Sequence, residues 1–358
     1  MRIKKALFLG TLCTAVSGMS LFAQAGVSYA KSAEKTTEAA SSEEAESEEE
    51  TSEEVTYPST SEHACGETVI ESKPERIATI GWENQATPLA LGVAPVGVSA
   101  ANYGMVTDNN LHPWTDEEFA DLGVEKPVVF DDVDGLDFEQ ISDCNPDVIL
   151  AAYSGMTQED YDTLSQIAPV IPYKEKAWQT SWREQTIENA EGMGMKPEGE
   201  KKVKEVEDLI AEKLEEYPQL EGIPTAFCWI SADDFSTFYV YLPTDPRAAY
   251  LLDLGFTLPE SVQKLAGETD DFNITVSREN ADQLDDIQLM VVYGDEDLLK
   301  SLQEDKLMSQ IPAIKNGAVA LVDSTSALAG ASTPSILSIP YEIDEYLQLL
   351  SDAAENIK

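Results

Sequence analysis

The feature that most constrains this chain is the alternation of strand-length apolar runs with helix-forming segments. The clearest runs are 76–81 (RIATIG), 147–153 (DVILAAY), 225–230 (TAFCWI), 289–294 (LMVVYG) and 318–323 (AVALVD). Such alternation is typical of βα units, whose strands form mostly parallel sheets. We therefore predict an α/β fold whose strands fall into two groups.

One long helix is predicted between the two groups, in 196–220 (KPEGEKKVKEVEDLIAEKLEEYPQL). Its apolar positions recur at helical spacing between two prolines, and they are Val203, Val206, Ile210, Leu214 and Tyr217. About twenty helical residues at ~1.5 Å each span ~30 Å, the width of a small domain. A charged helix with one narrow apolar stripe suits a strut across two lobes.

The two groups also share a sequence plan, seen in 136–155 (LDFEQISDCNPDVILAAYSG) and 276–294 (VSRENADQLDDIQLMVVYG). In each, a Glu opens a short helix, an acidic turn follows, and a strand leads to a Tyr. The Glu precedes the Tyr by fourteen positions in both copies, as Glu139 to Tyr153 and Glu279 to Tyr293. The alternative is coincidence in a chain rich in Glu.

We therefore predict two Rossmann-like lobes of mostly parallel sheet joined by one long helix. The N-terminal lobe is assigned to 63–177, the interlobe crossing with the long helix to 178–221, and the C-terminal lobe to 222–358. Two further segments precede the lobes. They are a signal peptide at 1–30 and an acidic disordered linker at 31–62.

The first thirty residues have the three parts of a secretory signal. A basic start at 2–5 precedes an apolar stretch at 6–22, and small residues place a cleavage site after Ala30. The apolar stretch is short and contains several polar residues, which argues against a retained membrane span. We expect an exported protein, in the periplasm or at the cell surface.

Lipid attachment at Cys13 is the alternative to cleavage after Ala30, and it would tether the protein to the membrane. Against it, Leu12 stands where such sites have a small residue. The segment that follows, 31–56, holds ten Glu against two Lys and one large apolar residue. It cannot bury enough apolar surface to fold, so we interpret it as a solvated spacer.

The net charge of −44 makes nucleic acid and anionic membrane surfaces unfavourable partners. Arginine is scarce after the signal, where it occurs only as Arg76, Arg183, Arg247 and Arg278. An arginine that binds an anionic ligand must therefore be one of these four.

The remaining cysteines form neither a disulfide framework nor a zinc motif, because they are odd in number and widely spaced. We interpret Cys144 and Cys228 as small buried hydrophobes, and a bridge from Cys65 stays open.

No nucleophile motif, phosphate loop or dinucleotide-binding motif is found in the sequence, so we predict no enzyme. The only histidines, His63 and His112, occur in polar, turn-like sequence, and we expect both at the surface. The stretch 327–333 (ALAGAST) is typical of a flexible loop before a helix.

Aromatic residues are dense in the predicted loops, and they are Trp82, Tyr103, Trp114, Trp178, Trp182, Phe238, Tyr239 and Tyr241. Most aromatic residues in proteins belong to the core. Trp82, however, follows the C-terminal end of a strand, where open α/β sheets bind ligands. Trp178 and Trp182 stand beside Arg183, which could hold an anionic or chelating ring through hydrogen bonds and cation–π contact.

Taken together, these segments resemble the substrate-binding proteins of ABC importers for iron-siderophore complexes. In this two-lobed class a rigid helix joins the lobes, and relatives bind cobalamin and haem. The resemblance covers about residues 63–350. It depends on 63–100, 136–173, 178–185 (WQTSWREQ), 239–256 and 274–284 (ITVSRENADQL).

The resemblance implies that Glu139 and Glu279 dock onto arginines of a transmembrane permease, through charge-assisted pairs at two fixed points. It also implies a ligand cleft lined from both lobes by Trp82, Tyr103, Trp178, Trp182, Arg183, Trp229, Tyr241 and Arg247. Among these, Arg183 is the strongest candidate. Arg76 and Arg278 are interpreted as structural or interface residues. The expected protein is a monomer with no intrinsic cofactor or metal.

The expected ligand is a ferric siderophore. The acidic balance and aromatic lining favour a neutral or cationic ferric hydroxamate, or a mixed chelate, over a tris-catecholate with about three negative charges. Haem would need an axial ligand, and neither His falls in a predicted cleft segment. Cobalamin stays open, as do an exported ligand sensor and an enzyme on a related scaffold.

Overall fold

The computed structural model describes residues 55–358, all within one compact unit. The predicted signal, Cys13 and most of the predicted linker lie outside the described residues. Strand β1, Ser59–His63, pairs antiparallel with β2, Gly66–Ile70. The Thr68 hydroxyl anchors this hairpin by donating to the Val170 carbonyl over 2.8 Å. The linker boundary at 62 is therefore too late, because β1 begins at Ser59.

The N-terminal lobe is built on a parallel sheet with strand order β5-β4-β3-β6-β7. Its elements are β3 Ile77–Thr79, α1 Ala86–Ala90, β4 Gly97–Ser99, α2 Pro113–Asp121, β5 Val129–Phe130, α3 Phe138–Asp143, β6 Val148–Ala151, α4 Gln158–Leu164 and β7 Val170–Pro172. The chain runs outward from β3 to β5 and then returns to β6. The topological switch of this doubly wound sheet therefore lies between β3 and β6.

Two helices form the crossing, α5 at Trp182–Gly192 and α6 at Lys196–Leu214. A capping box of Ser181 and Glu184 begins α5. The predicted long helix is present as α6, and its stripe of Val203, Val206 and Ile210 is buried in a core shared with the C-terminal sheet. The helix ends before Tyr217, because Pro218 disfavours helical geometry in the residue that precedes it.

The C-terminal lobe has strand order β10-β9-β8-β11-β12. Its elements are β8 Thr225–Trp229, β9 Thr237–Tyr241, α7 Pro246–Asp253, α8 Glu260–Ala266, β10 Asn273–Ser277, β11 Leu289–Tyr293, α9 Glu296–Glu304, α10 Pro312–Asn316, β12 Val319–Val322, α11 Ala327–Ala331 and α12 Ser338–Ala354. Short 3-10 helices occupy Pro218–Leu220, Arg278–Gln283 and Met308–Gln310.

The two sheets differ in strand direction. β8, β11 and β12 are parallel, whereas β9 and β10 are antiparallel to their neighbours. The connection from β8 to β9 is too short for a crossover helix, so these strands form a hairpin. The sequence prediction of α/β lobes is confirmed, and the N-terminal sheet is the more regular of the two.

The three cysteines of the described range are free, and Cys144 and Cys228 are buried as predicted, while Cys65 is partly exposed. No helix within residues 55–358 is both long enough and apolar enough to cross a membrane.

Candidate ligand-binding site

A cavity of about 310 Å³ lies between the two lobes. Its lining is predominantly aromatic and comprises Trp82, Tyr103, Tyr153, Trp178, Arg247, Phe272, Tyr293 and Thr333. The first three follow strands of the N-terminal sheet, and the last four belong to the C-terminal lobe. A mostly apolar cavity with a few polar groups is what a small-molecule site requires.

The switch points of the two sheets supply three of these side chains. Trp82 follows β3 and Tyr153 follows β6, the two strands that flank the switch of the N-terminal sheet. Tyr293 ends β11, which flanks the corresponding switch between β8 and β11. Side chains at these positions project beyond the carboxyl ends of the strands, where ligands of open α/β sheets bind. The repeated Tyr of the sequence therefore reaches the same cavity from both lobes.

Arg247 is the cation of the cavity lining. It stands in the first turn of α7, and its guanidinium is held by the N-cap residue Asp245, with Nε donating to Oδ1 over 2.8 Å and Nη2 to Oδ2 over 2.6 Å. The guanidinium also lies 4.1 Å from the ring centroid of Tyr241. These two bonds use two of the five guanidinium N–H groups, and Arg247 also contacts the Tyr293 hydroxyl.

The Arg247–Asp245 pair is electrically balanced. Asp245 is fully buried. Burial works against the charge of Arg247, but the adjacent carboxylate outweighs it and holds the pKa of Arg247 well above its ordinary value. The cavity therefore presents N–H donors without a net positive charge from this pair.

The tyrosines of the cavity are neutral hydrogen-bonding groups. Burial raises the pKa of Tyr103 to about 12 and raises the pKa of Tyr153 and of Tyr293. The rings of Tyr103 and Tyr293 meet edge to face across the lobes, with centroids 5.3 Å apart. The buried indole N–H of Trp82 has no acceptor among the described residues. A bound ligand could use these O–H and N–H groups as donors.

Trp178 lies at the mouth of the cavity in an unusual conformation. Its φ is +62°, and its ring meets Tyr153 edge to face at 5.2 Å. A Cβ at Gly155 would lie 2.4 Å from the Trp178 Nε1, so glycine is required there. A second cavity of about 270 Å³ shares Trp82 and Trp178 with the first and extends into the N-terminal lobe towards Asp132.

The structure brings together four of the eight predicted ligand residues, namely Trp82, Tyr103, Trp178 and Arg247. Tyr241 lies beneath the Arg247 guanidinium and supports it. Trp229 is at the end of β8 and stacks on Tyr239 with centroids 5.4 Å apart, outside the cavity lining.

Arg183 and Trp182 do not line the cavity, contrary to the prediction. Arg183 donates to Glu207 over 2.6 Å and to Asp253 over 2.7 Å. Trp182 is buried, and its indole N–H donates to the same Asp253 over 3.1 Å. The first turn of α5 directs both side chains towards α6 and α7. These bonds join the helices of the crossing and place the strongest sequence candidate outside the cavity lining.

Sequence reasoning missed four lining residues, Tyr153, Tyr293, Phe272 and Thr333. The two tyrosines could have been found, because each follows a predicted strand at the end of the internal repeat. Phe272 and Thr333 lie in connections before β10 and before α12. We find no sequence signal that marks these two.

Glu139 and Glu279 occupy matching places in the two lobes. Both are exposed, and each lies in the first turn of a short helix, Glu139 in α3 and Glu279 in the 3-10 helix Arg278–Gln283. A carboxylate at a helix N-terminus is favourable in itself. Arg278 pairs with Asp305, with 3.2 Å between Nη1 and Oδ2, and Arg76 donates to backbone carbonyls, so both arginines have structural contacts.

Two surface expectations were wrong. His112 is buried, with 2% of its surface exposed. It is the N-cap residue of α2, and its side chain packs between the lobes. The stretch 327–333 contains the buried helix α11, with Ser326 as its N-cap, instead of a flexible loop. His63 lies in β1 and contacts the Thr68 hydroxyl over 2.9 Å.

The chain is similar to known binding proteins. It is 47% identical to Streptococcus pneumoniae TIGR4 PiaA in a structure with ferrichrome, which covers 84% of this chain and 99% of that chain with a TM-score of 0.80. A second structure of PiaA, described as an iron uptake ABC transporter substrate-binding protein, is 45% identical, covers 83% and 99% of the two chains, and has a TM-score of 0.77.

More distant structures share the fold. Staphylococcus aureus SirA, in a structure with staphyloferrin B, is 22% identical and covers 84% of this chain and 99% of that chain with a TM-score of 0.63. No curated protein matches the sequence. The family model described as periplasmic binding protein matches residues 77–325, more than half of the chain. The chain therefore belongs to the periplasmic binding protein family.

Proposed function

We propose that this protein is the extracytoplasmic binding component of an ABC importer and captures a ferric siderophore in the cavity between the lobes 63–177 and 222–358. The observation that carries this proposal is the similarity over 99% of PiaA, a protein whose structure contains ferrichrome. The aromatic cavity between the lobes supports it, because flat and apolar surfaces suit the organic shell of a ferric chelate.

The charge of the cavity favours a neutral ferric hydroxamate. A ferric tris-hydroxamate has no net charge, since its ligand charges balance that of Fe³⁺, whereas a tris-catecholate carries about three negative charges. Arg247 is already balanced by Asp245. The Arg247 N–H groups that do not bond Asp245 and the tyrosine hydroxyls can donate to hydroxamate oxygens without an opposing excess of ligand charge.

Haem fits the site less well. Both ring nitrogens of His112 are already engaged, by the Glu83 carboxylate and the Tyr103 carbonyl, so this histidine is not free to bind haem iron. The raised pKa values of Tyr103, Tyr153 and Tyr293 also oppose the tyrosinate form that would ligate iron.

A titration of tryptophan fluorescence tests the ligand class. Ferrichrome, a ferric tris-catecholate, haem and cobalamin are added separately to the purified protein. We expect quenching by ferrichrome, because Trp82 and Trp178 line the cavity, and at least tenfold weaker binding of the catecholate. The siderophore proposal would be overturned if neither ferrichrome nor the catecholate changed the fluorescence. It would also be overturned if haem or cobalamin were the only ligand that bound tightly.

We also propose that Glu139 and Glu279 dock onto the permease of the importer. Their exposure and their matching places in the two lobes support this role. The test is siderophore uptake by cells carrying Glu139→Ala with Glu279→Ala. A matched control is Glu159→Ala with Glu296→Ala, which removes exposed first-turn carboxylates from α4 and α9. Uptake should fall only in the first variant, with ligand binding kept in both.

The siderophore must be captured outside the cytoplasm, and we propose that 1–30 directs export. Cleavage after Ala30 and lipid attachment at Cys13 give mature chains of different mass. Mass spectrometry of the protein from its native cell separates the two, and a chain that keeps residues 1–30 unmodified would contradict export by this signal. We expect a monomer in either case.

A further inference from the structure

A buried polar cluster packs against Trp82 and Tyr103, on the side of these residues away from the cavity. At its centre is the carboxylate of Glu83, which is 2% exposed. Its Oε1 accepts from His112 Nδ1 over 2.7 Å and from Gln85 Nε2 over 3.1 Å. Its Oε2 accepts from Trp114 Nε1 over 2.8 Å and from the Ser335 hydroxyl over 2.9 Å. Four donors on one buried carboxylate are the arrangement that makes such a charge tolerable.

The contacts of His112 fit a proton on both ring nitrogens. Its Nδ1 faces the Glu83 carboxylate, and its Nε2 lies 2.9 Å from the Tyr103 carbonyl oxygen. The Tyr103 carbonyl and an ionised Glu83 are acceptors only, so both bonds fit the imidazolium form. The pKa values agree with this assignment. Burial opposes the charge on each residue, yet the pair raises the pKa of His112 and lowers the pKa of Glu83.

The cluster joins the two lobes. Glu83, His112 and Trp114 belong to the N-terminal lobe, whereas Ser335 precedes α12 of the C-terminal lobe. Gly330 of α11 packs directly on the imidazole, since a Cβ there would lie 2.8 Å from His112 Nε2. The backbone N–H of Met105 donates to the Ser326 carbonyl over 2.9 Å beside this contact.

The cluster also reaches the cavity on two sides. Glu83 directly follows Trp82 and has a φ of +56°, a left-handed conformation that is costly for a residue with a side chain. The Trp82 ring lies 5.1 Å from the His112 ring. On the other side, His112 holds the Tyr103 carbonyl, while the Tyr103 ring meets Tyr293 of the opposite lobe.

We propose that His112 and Glu83 are positioning residues for ligand binding. They fix Tyr103 and Trp82 at the cavity and hold the lobes together along one side of it, without contacting the ligand. The ferrichrome affinities used to test this role rest on the proposed function. The hydrogen-exchange rates do not, because the pair orders the loop that carries Tyr103 without a ligand.

Two substitutions separate the two bonds of His112. In His112→Asn the amide nitrogen occupies the place of Nδ1 and keeps the Glu83 contact, while the Tyr103 contact is lost. In His112→Gln the amide nitrogen occupies the place of Nε2 and keeps the Tyr103 contact. We expect His112→Asn to weaken ferrichrome binding about tenfold and His112→Gln to stay within about threefold of wild type. Equal affinities of the two variants would overturn the proposal.

Hydrogen exchange of the ligand-free proteins gives a measurement that does not depend on the ligand. The amides of 101–111 should exchange faster in His112→Asn than in wild type or His112→Gln. Equal exchange in all three would overturn the positioning role. If wild type binds no ferrichrome, the proposed function fails, and the exchange rates still decide this inference.

Gly330→Ala is a second variant that keeps every member of the cluster. Its methyl group would displace His112, and alanine suits a helix, so α11 should still form. We expect weaker ferrichrome binding, by about tenfold, and faster exchange of 101–111. Wild-type affinity and exchange in this variant would contradict the proposal, and thermal melting confirms that the protein is folded.

The affinity should also depend on pH through His112. Five groups of the described structure face its ring. They are the Glu83 carboxylate from the turn after β3, the Tyr103 carbonyl, the Trp82 ring at 5.1 Å, the Trp114 ring of α2 at 4.6 Å, and Gly330 of α11. Among them Glu83 is the charged group. Because its contacts raise the pKa of His112, binding should weaken as the pH rises above the ordinary range of histidine and His112 loses its second proton. His112→Gln should lack this dependence, and a parallel loss in both would overturn it.

Discussion

Two arginines of this protein lie over aromatic rings, yet only one of them faces the cavity. Arg183 lies 4.4 Å from the ring centroid of Trp182, and Arg247 lies 4.1 Å from that of Tyr241. Both stand in the first turn of a helix, and both bond to a carboxylate. In the sequence these two neighbourhoods look alike.

The difference between them is the number of acceptors that the fold supplies. Arg183 meets two carboxylates, Glu207 of α6 and Asp253 of α7, because α5 packs against both helices. Among the described side chains, Arg247 pairs with one carboxylate, Asp245, and its guanidinium also contacts the Tyr241 ring and the Tyr293 hydroxyl. Of the two, we therefore expect Arg247 to bind the ligand, because it lines the cavity and pairs with a single carboxylate, whereas a nearby aromatic ring is common to both.

The largest effect is expected from the removal of Arg247. We expect Arg247→Ala to weaken ferrichrome binding by about 2–3 kcal/mol, roughly a hundredfold, because hydrogen bonds to a charged donor are lost. Fluorescence titration measures the affinity. Wild-type affinity in this variant would mean that Arg247 serves only the fold.

A matched double variant separates binding from stability. Arg247→Ala leaves the Asp245 carboxylate buried without its partner, which destabilises the protein. Asp245→Asn with Arg247→Met removes both charges at similar volume, so stability should largely recover while binding stays weak. If binding recovers together with stability, the loss in Arg247→Ala was an effect of folding.

Glu188 lies on the crossing helix α5, like Arg183, and should affect stability without affecting ligand binding. Its side chain is 5% exposed, with Lys174 3.7 Å away. Burial raises the pKa of Glu188 to about 7, above the ~4.3 of an unfolded Glu. The folded state therefore holds this proton more tightly, and stability falls as the pH rises from about 4.3 to about 7.

We expect Glu188→Gln to be more stable than wild type by about 1–2 kcal/mol at pH 8, with the advantage gone near pH 4. Denaturant unfolding at several pH values measures this. Glu191→Gln, on the same helix with a side chain 39% exposed, is the control and should change stability by under ~0.5 kcal/mol. A gain that does not vary with pH would show that Glu188 is not the titrating group.

Much of the fold could be predicted from the sequence, because it depends on local patterns. The apolar runs became β3, β6, β8, β11 and β12, and the spaced valines of 196–220 became the buried stripe of α6. The antiparallel direction of β9 and β10 could not be predicted from their own residues, since it depends on the connection that follows β8. In sequence, that seven-residue loop resembles the first residues of a longer crossover connection.

The site was harder to predict than the fold. Trp82 lines the cavity because the strand before it fixes where it projects. Arg183 was misplaced because the direction of a side chain on α5 depends on how α5 packs against α6 and α7, which the sequence does not show. His112 was misplaced for a similar reason. Its polar neighbours in the sequence suggested an exposed position. Its partner Glu83, and Ser335, which bonds the same carboxylate, are distant from it in the chain.

The smallest effect is expected from Arg183→Ala. The Arg183 side chain is 31% exposed and its partners Glu207 and Asp253 are 44% and 23% exposed, so solvent screens both pairs. The Trp182 indole would still donate to Asp253 after the substitution. We expect a loss of under ~1 kcal/mol in unfolding free energy and no more than about a twofold change in ferrichrome affinity. A loss of affinity comparable to that of Arg247→Ala, with stability unchanged, would mean that Arg183 also contacts the ligand, so that the two arginines would have the same role.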